Sequence, residues 1–245
     1  MNFLNKMINF FRNIRKKLAN ENKFQRYMRY AIGEVVLVVV GILIALSINN
    51  WNDQRKVSNK EKEMLVTLKS DLENNIEVLK TDIKNLEFNA NVCDTLLDII
   101  ELKKTFTDYL PRYFHKARVT ENNKLSSTSY ESLKSTGFDI IENITLRNEI
   151  IKLYEGTYAK MIENLSSLIN NSGELYFSYY LNNFYSTGDE RAIPNNYEKV
   201  INDPIYKNIL GALKTKHLWS IELKDICIDE SERLIQLIDK ELSKI

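Results

Sequence analysis

The longest apolar run of the chain lies near its N-terminus and has no polar face. From Ala31 to Ile48 only Glu34 and Ser47 are polar. As a helix at ~1.5 Å per residue, residues 30–51 would be about 33 Å long, which matches a hydrocarbon core of ~30 Å. The pattern therefore predicts a single-pass transmembrane helix over residues 30–51. The aromatic side chains that would anchor it at the two interfaces are Tyr27, Tyr30 and Trp51.

The same run also resembles the apolar core of a cleaved signal peptide, with Ala45-Leu46-Ser47 as a loose small-x-small cleavage site. Two features argue against cleavage. The polar region ahead of the core would be over thirty residues long, and the helical periodicity continues through the supposed cleavage point. We therefore expect an uncleaved anchor.

Beyond Trp51 the apolar positions narrow to one stripe. They recur at alternating steps of three and four from Leu65 to Ile100, which is typical of coiled-coil or helix-bundle packing. No Pro or Gly interrupts the chain between Trp51 and Pro111, so we predict a helix that continues from the membrane to about Lys104. Residues 105–126 lose the period and predict a loop with one short helix.

Cap residues place the remaining helices. We predict a short helix over residues 127–136 that stops at Gly137, a second long helix capped by Thr145, and a third that starts at Asp203-Pro204. The predicted fold class is all-α. A single N-terminal transmembrane helix continues into a long antiparallel periplasmic bundle of three long helices that alternate in direction, and the short helix caps the membrane-distal end.

Charge is distributed unevenly along the chain. Residues 1–30 hold eight Lys or Arg and one acid, a net charge of +7, while the rest sums to −6. Apolar residues from Phe3 to Leu18 recur at helical spacing among these cations, which predicts an amphipathic helix on anionic lipid headgroups at residues 1–29. The mildly acidic body argues against nucleic-acid binding.

The same asymmetry predicts the topology. Because the basic excess precedes the span, the positive-inside rule puts the N-terminus in the cytoplasm. The predicted domains are a cytoplasmic basic helix (1–28), a transmembrane helix (30–51) and a periplasmic helical-bundle domain (52–245), held at the inner membrane.

Glu34 admits three interpretations. It can reach the headgroups or pair with Arg29, Arg26 or a neighbouring chain's arginine; it can belong to a helix-association face; or it can belong to an ion path. Pairing ranks first, and a single span without a second polar residue at mid-depth does not form a path alone. The residues predicted for helix association in the membrane are Gly33, Glu34, Gly41 and Ala45.

The sequence carries no signature of catalysis. His115 and His217 each lack a partner at metal-ligand spacing, and no phosphate loop, nucleophile elbow or zinc motif is present. We therefore expect no enzyme activity, no cofactor and no metal site. A group of tyrosines, Tyr176, Tyr179, Tyr180 and Tyr185, is interpreted as aromatic core in preference to a ligand pocket.

Cys93 and Cys227 are the two cysteines. If the first and third long helices run the same way, the two thiols lie at similar heights, and the periplasm permits disulfides. A disulfide and two buried free thiols are left as equal alternatives.

Two stretches resemble a family of single-span envelope proteins of Bacteroidota, a domain of unknown function. They are "ENKFQRYMRYAIGEVVLVVVGILIALSINNWND" and "SYESLKSTG…LRNEIIKLYE", which ends at residue 155. Ser47 stands where that family often has a larger polar residue. The resemblance implies a Gram-negative inner membrane and a periplasmic body, and it implies no activity.

Two functions compete on these patterns. The first is a non-enzymatic, membrane-anchored scaffold or assembly subunit of the cell envelope that forms homo-oligomers or binds an envelope membrane protein. The alternative is a periplasmic ligand-sensing or signal-relay bundle that acts through a partner protein. A pocket near residues 176–185 would favour the second, and a packed core would favour the first.

Overall fold

The computed structural model describes residues 10–16, 24–119 and 124–245, and most of these are helical. The chain divides into two compact units, with the boundary between Ser58 and Asn59. The elements in chain order are α1 (10–16), α2 (Phe24–Glu101), α3 (Leu110–Lys116), α4 (Thr128–Thr136), a 3₁₀ turn (Phe138–Ile140), α5 (Ile144–Ile151), a π-helix (Lys152–Tyr158), α6 (Ala159–Asn183), β1 (Phe184–Ser186), β2 (Ala192–Pro194), α7 (Tyr197–Ile201) and α8 (Pro204–Leu242).

Helix α2 contains both the apolar run and the later stripe in 78 consecutive residues. It ends at Glu101, close to the predicted end, in a Schellman motif. The N–H of Lys103 donates to the carbonyl of Ile100 and the N–H of Lys104 donates to the carbonyl of Ile99. The motif puts Lys103 at φ +48°. Most of the predicted basic helix before α2 lies outside the described residues, and residues 10–16 of it are helical.

Two clusters of buried apolar side chains stabilise the unit that starts at Asn59. The first cluster takes Leu65, Leu68, Leu72, Ile76 and Leu79 from α2 and adds residues of α4, α5, the π-helix, α6 and α8. The second cluster takes Val92, Cys93, Leu96 and Ile99 from α2 and adds residues of α3, α6, α8 and the two strands. The predicted stripe therefore supplies the α2 residues of the first cluster. In the second cluster it supplies only Cys93, because Val92, Leu96 and Ile99 lie off the stripe and its residues Leu97 and Ile100 are only partly buried.

Helix α8 runs antiparallel to α2. Lys69 pairs with Asp239 at 2.6 Å, and Lys214 pairs with Asp94 at 2.7 Å, so rising numbers on one helix meet falling numbers on the other. The α5–α6 segment is also antiparallel to α8, because Arg233 pairs with Glu149 while the sulfur of Cys227 lies 3.5 Å from that of Met161. The predicted alternation of the three long helices is therefore wrong: α2 and α5–α6 run the same way.

The reason for this direction is the segment after α2, which returns along that helix before α5 begins. The carbonyl of Val119 accepts a hydrogen bond from Asn89, and Asn75 bonds both the N–H and the carbonyl of Ser126 at 2.7 and 2.9 Å. The N–H of Glu142 then donates to Glu61 at 3.0 Å. A loop this long that runs antiparallel to α2 leaves the next helix parallel to it.

Helix α4 belongs to this returning segment. The N–H and hydroxyl of Ser129 donate to the Asp71 carboxylate at 2.9 and 2.6 Å, so a side chain of α2 satisfies the N-terminus of α4. The prediction that this short helix covers the membrane-distal end of the bundle is wrong, because α4 lies beside Asp71 and not over the end of α2. Its predicted stop at Gly137 is confirmed, at φ +105°.

Of the other two predicted helix starts, one is confirmed and one is wrong. Asp203 caps α8 by accepting from the N–H of Ile205 at 2.9 Å, and Pro204 is the first helical residue, as predicted. The cap of the second long helix is Asn143 and not Thr145, since the Asn143 side chain accepts from the N–H of Thr145. An antiparallel pair of short strands, β1 and β2, follows α6.

Candidate membrane segment and buried polar contacts

Within the described part of the chain, one helix is long and apolar enough to cross a membrane, and it is α2. None of its apolar window is buried, and Leu37 is 75% exposed. Exposing a run of this length to water would be unfavourable by ~25 cal/mol per Å² of apolar surface. By length and composition the segment is a candidate membrane span.

The predicted aromatic anchors stand at both ends of this segment. Tyr30 and Trp51 are largely exposed and Tyr27 is partly exposed. The guanidinium of Arg55 lies 5.8 Å from the centre of the Trp51 ring, a cation–π contact at the C-terminal end of the segment. These positions fit interfacial anchoring, which stays a prediction.

Glu34 contacts a cation that the sequence interpretation did not name. An Nη of Arg15, on α1, lies 3.9 Å from an Oε of Glu34, and both side chains are about half exposed. Arg15 belongs to the predicted lipid-facing helix and is farther from Glu34 in sequence than the predicted partners Arg26 and Arg29. Pairing is thus the arrangement seen, with a different arginine.

The small residues of the predicted association face leave open space on α2. A Cβ added at Gly33 or at Gly41 would meet no atom within 4 Å. Ala45 is exposed one turn further along. Among the described residues, room for a second helix therefore remains at Gly33 and Gly41, and helix association stays a prediction.

A buried ion pair joins α2 and α8 in the other unit. The Lys224 ammonium lies 2.8 Å from the Asp82 carboxylate, and the lysine side chain is 1% exposed. Lys224 occupies the apolar stripe of α8, between Ser220 and Cys227. A lysine at a stripe position is the sequence signal that would have indicated a buried partner.

The π-helix places a second buried polar contact. The Tyr158 hydroxyl lies 2.6 Å from that of Ser231, whose hydroxyl donates to the Cys227 carbonyl. Buried residues recur at steps of four through this region, at Leu146, Ile150, Tyr154 and Tyr158. Each step would drift about 40° around an α-helix, and the wider π turn holds these side chains on one face.

The predicted tyrosine group is divided by the fold. Tyr180 is buried with its ring centre 4.7 Å from that of Phe184, and its hydroxyl donates to the Phe114 carbonyl. Tyr179 stacks on Tyr206 and donates to Asp203, while Tyr185 is exposed. Tyr180 lies in the second cluster and Tyr176 and Tyr179 pack against it, which agrees with the interpretation as aromatic core for these three, whereas Tyr185 is not core.

The cysteines are two free, buried thiols. Cys93 belongs to the second cluster, near the Ala117 carbonyl, and Cys227 belongs to the first, with its sulfur 3.5 Å from that of Met161. The disulfide alternative is wrong for this structure because α8 runs opposite to α2, which puts the thiols at different heights. Burial raises the pKa of Cys93 to about 12 and that of Cys227 to about 11.

The histidines serve structural contacts. His217 is buried and its Nε2 lies 2.9 Å from the Ala117 carbonyl, and burial lowers its pKa. His115 is partly buried on α3. Across residues 10–16, 24–119 and 124–245, no group of three or more His, Cys, Asp or Glu side chains is placed to hold a metal ion.

The fold and these contacts define a mostly helical protein with one long apolar helix near the N-terminus. The sequence matches Family of unknown function (DUF6090) over residues 34–213, and the chain belongs to that family. The match covers most of the chain and confirms the predicted membership of an uncharacterised family. Neither the curated proteins nor the solved structures contain a match to this chain.

Proposed function

We propose that this protein is a non-enzymatic, membrane-anchored scaffold or assembly subunit of the bacterial cell envelope. The observation that carries the proposal is helix α2, which contributes a fully exposed apolar segment and then the central stripe of a packed helical unit. Its later residues fill two cores with the other helices, which supports the proposal of a packed, membrane-anchored unit.

The proposal includes a topology. Residues 30–51 cross the inner membrane, the basic N-terminal region stays in the cytoplasm on anionic headgroups, and residues 52–245 form a periplasmic helical bundle. The charge asymmetry of the chain supports this orientation through the positive-inside rule.

Single-cysteine labelling in intact cells tests the topology. The native thiols are buried and have raised pKa values, so an added exposed cysteine would dominate the signal. We expect a membrane-impermeant maleimide to label Val66→Cys in intact cells and Phe10→Cys only after lysis, since both positions are exposed. The reverse labelling pattern would show that the topology is inverted. Labelling of both cysteines in intact cells would contradict a membrane anchor between them.

The proposal also includes self-association or a membrane-protein partner, through the open face at Gly33, Gly41 and Ala45. Light scattering of the full chain in mild detergent gives the mass of the assembly. We expect Gly41→Leu and Glu34→Gln to lower that mass without loss of membrane insertion, while Val40→Leu, on the same helix, leaves it unchanged. A monomeric wild-type chain without a co-purifying partner would overturn the scaffold proposal.

A further inference from the structure

An exposed apolar surface lies where α2 ends, separate from the membrane segment. We call residues 102–109 the end loop. Leu102 is 66% exposed and Phe106 is 42% exposed. Tyr109, the last residue of the loop, is also exposed. Exposed aliphatic and aromatic side chains in one short loop indicate a contact with something outside the chain.

Neighbouring elements extend this surface and hold it in place. The Phe106 ring lies 5.2 Å from the Tyr197 ring, and the Tyr197 hydroxyl donates to the Lys104 carbonyl at 2.6 Å. Lys207 pairs with Glu101 at 2.9 Å, which brings the first turn of α8 to the same place. That turn exposes Ile205, at 54%. The loop is therefore presented on a fixed support.

The end loop also carries two lysines whose charges nothing in the described part of the chain neutralises. Lys103 and Lys104 stand between Leu102 and Phe106, and neither forms an ion pair among residues 10–16, 24–119 and 124–245. The one acid of the loop is Asp108. Two cations directly between exposed apolar side chains are complementary to a lipid surface, which has anionic headgroups on the outside and an apolar layer beneath them.

Lys103 occupies a backbone position that favours glycine. At φ +48° it is the left-handed residue of the Schellman motif, where a side chain costs conformational energy that glycine avoids. The fold would be satisfied better by glycine at this position. A charged residue at a position that disfavours it is consistent with a role for the charge itself.

We propose that the end loop binds an anionic lipid surface. Leu102 and Phe106 insert at the level of the headgroups, with Ile205 beside them, and Lys103 and Lys104 contact the lipid phosphates. Protein partners also bind exposed apolar residues, but the unpaired lysines favour the lipid. This inference does not rest on the scaffold function, because it concerns a surface outside the apolar segment.

Vesicle capture tests the proposal on the full chain. The protein is placed in phosphatidylcholine nanodiscs, which occupy its apolar segment, and is mixed with phosphatidylcholine vesicles that either contain or lack phosphatidylglycerol. Flotation then measures the fraction of nanodiscs bound to vesicles. We expect capture by the phosphatidylglycerol vesicles only, and about fivefold weaker capture for each lysine removed.

The variants separate lipid binding from folding. Lys103→Gly removes one charge and relieves the left-handed strain, so we expect weaker capture together with a higher melting temperature. Phe106→Ser removes an inserted ring and should also weaken capture. The matched control is Lys84→Gln with Phe88→Ser, an exposed lysine and a half-exposed phenylalanine on α2, which should leave capture unchanged.

Two results would overturn the proposal. The first is capture that is equal for the wild type and the end-loop variants, because the basic N-terminal region would then account for it. The second is an end-loop variant that changes the mass of the assembly in detergent while vesicle capture stays the same, which would make the loop a protein contact. A change in assembly mass for Gly41→Leu alone bears on the scaffold function and leaves the lipid inference standing.

Discussion

Helix α2 carries leucines and valines in both of its parts, but it buries them only in the second part. Leu37 in the first part is 75% exposed, whereas Leu72 in the second is fully buried. The difference lies in how the apolar residues are distributed around the helix. An apolar residue at every position leaves no polar face, while apolar residues at steps of three and four leave a polar face for water. The first part of α2 therefore suits a fully apolar environment, and the second part suits a surface with protein on one side and water on the other.

The polar residues of the two parts differ in the same way. Glu34 in the first part is half exposed and 3.9 Å from Arg15. In the second part, Asp82 and Asn75 sit at buried positions and each contacts a defined partner, Lys224 and Ser126. Buried polar groups require such partners, so the second part has a fixed set of neighbours.

The largest effect is expected from breaking the buried ion pair of the second part. Asp82→Ala leaves the Lys224 ammonium in the core without this carboxylate, and we expect the free energy of unfolding to fall by about 3–5 kcal/mol. Chemical denaturation of the full chain in mild detergent, followed by circular dichroism, measures it. The control is Glu232→Ala, which breaks the exposed pair with Lys80 and should cost at most about 1 kcal/mol. Equal losses would contradict the distinction.

The next effect compares one leucine from each part. Leu72→Ala removes a fully buried side chain and should lower the free energy of unfolding by about 2–5 kcal/mol. Leu37→Ala removes an exposed one and should leave that value unchanged, because the packed unit does not use it. The same denaturation experiment measures both, and a loss for Leu37→Ala would show that the first part packs against protein.

An arginine introduced into each part of α2 tests the same difference through membrane insertion. Val39→Arg puts a charge at the middle of the apolar segment, where membrane insertion should become less favourable by about 2.5–3.5 kcal/mol. Val66→Arg, at a half-exposed position of the packed unit, should insert as the wild type does. Extraction of membranes with alkaline carbonate measures the inserted fraction. Retention of Val39→Arg at the wild-type level would argue against a membrane span.

A smaller effect is expected at the π-helix. Tyr158→Phe removes the hydroxyl that contacts Ser231 and should lower the free energy of unfolding by about 0.5–1.5 kcal/mol. Tyr185→Phe, at an exposed ring, serves as the control and should have no effect. If both substitutions cost the same, the buried contact contributes nothing.

The smallest effect is a pH dependence at Glu61. Burial raises the pKa of this carboxyl above its usual value, although the N–H of Glu142 opposes the shift. A raised pKa in the folded state means that stability falls as pH rises from about 4.5 through the folded pKa. We expect Glu61→Gln to be more stable than the wild type at pH 7 and to lose that advantage as the pH falls towards 4.5. Parallel denaturation curves at the two pH values that show no difference would contradict this.

Local features of the fold follow well from the sequence. The start of α8 at Asp203-Pro204 and the stop of α4 at Gly137 were predicted, because each depends on the conformational preference of one or two residues. The buried stripe from Leu65 to Leu79 was predicted because helical spacing is a repeated signal. The family was also indicated by two short stretches of sequence.

Features that depend on distant residues did not follow. The direction of α8 depends on the returning segment, whose contacts with Asn75 and Asp71 are made by side chains over fifty positions apart. The Arg15–Glu34 contact and the Lys224–Asp82 pair likewise join separate helices. Such contacts leave no periodic trace in the sequence, although a charged residue on an apolar stripe is a usable signal.

The antiparallel pairing of α2 with α8 has a consequence for the order in which the protein is made. The Lys69–Asp239 contact joins positions 170 residues apart. A ribosome adds ~5–20 residues per second, so the stripe of α2 emerges many seconds before the helix that covers it. During that interval its leucines are exposed to other nascent chains. The unit that starts at Asn59 therefore completes its fold only after α8 has been made.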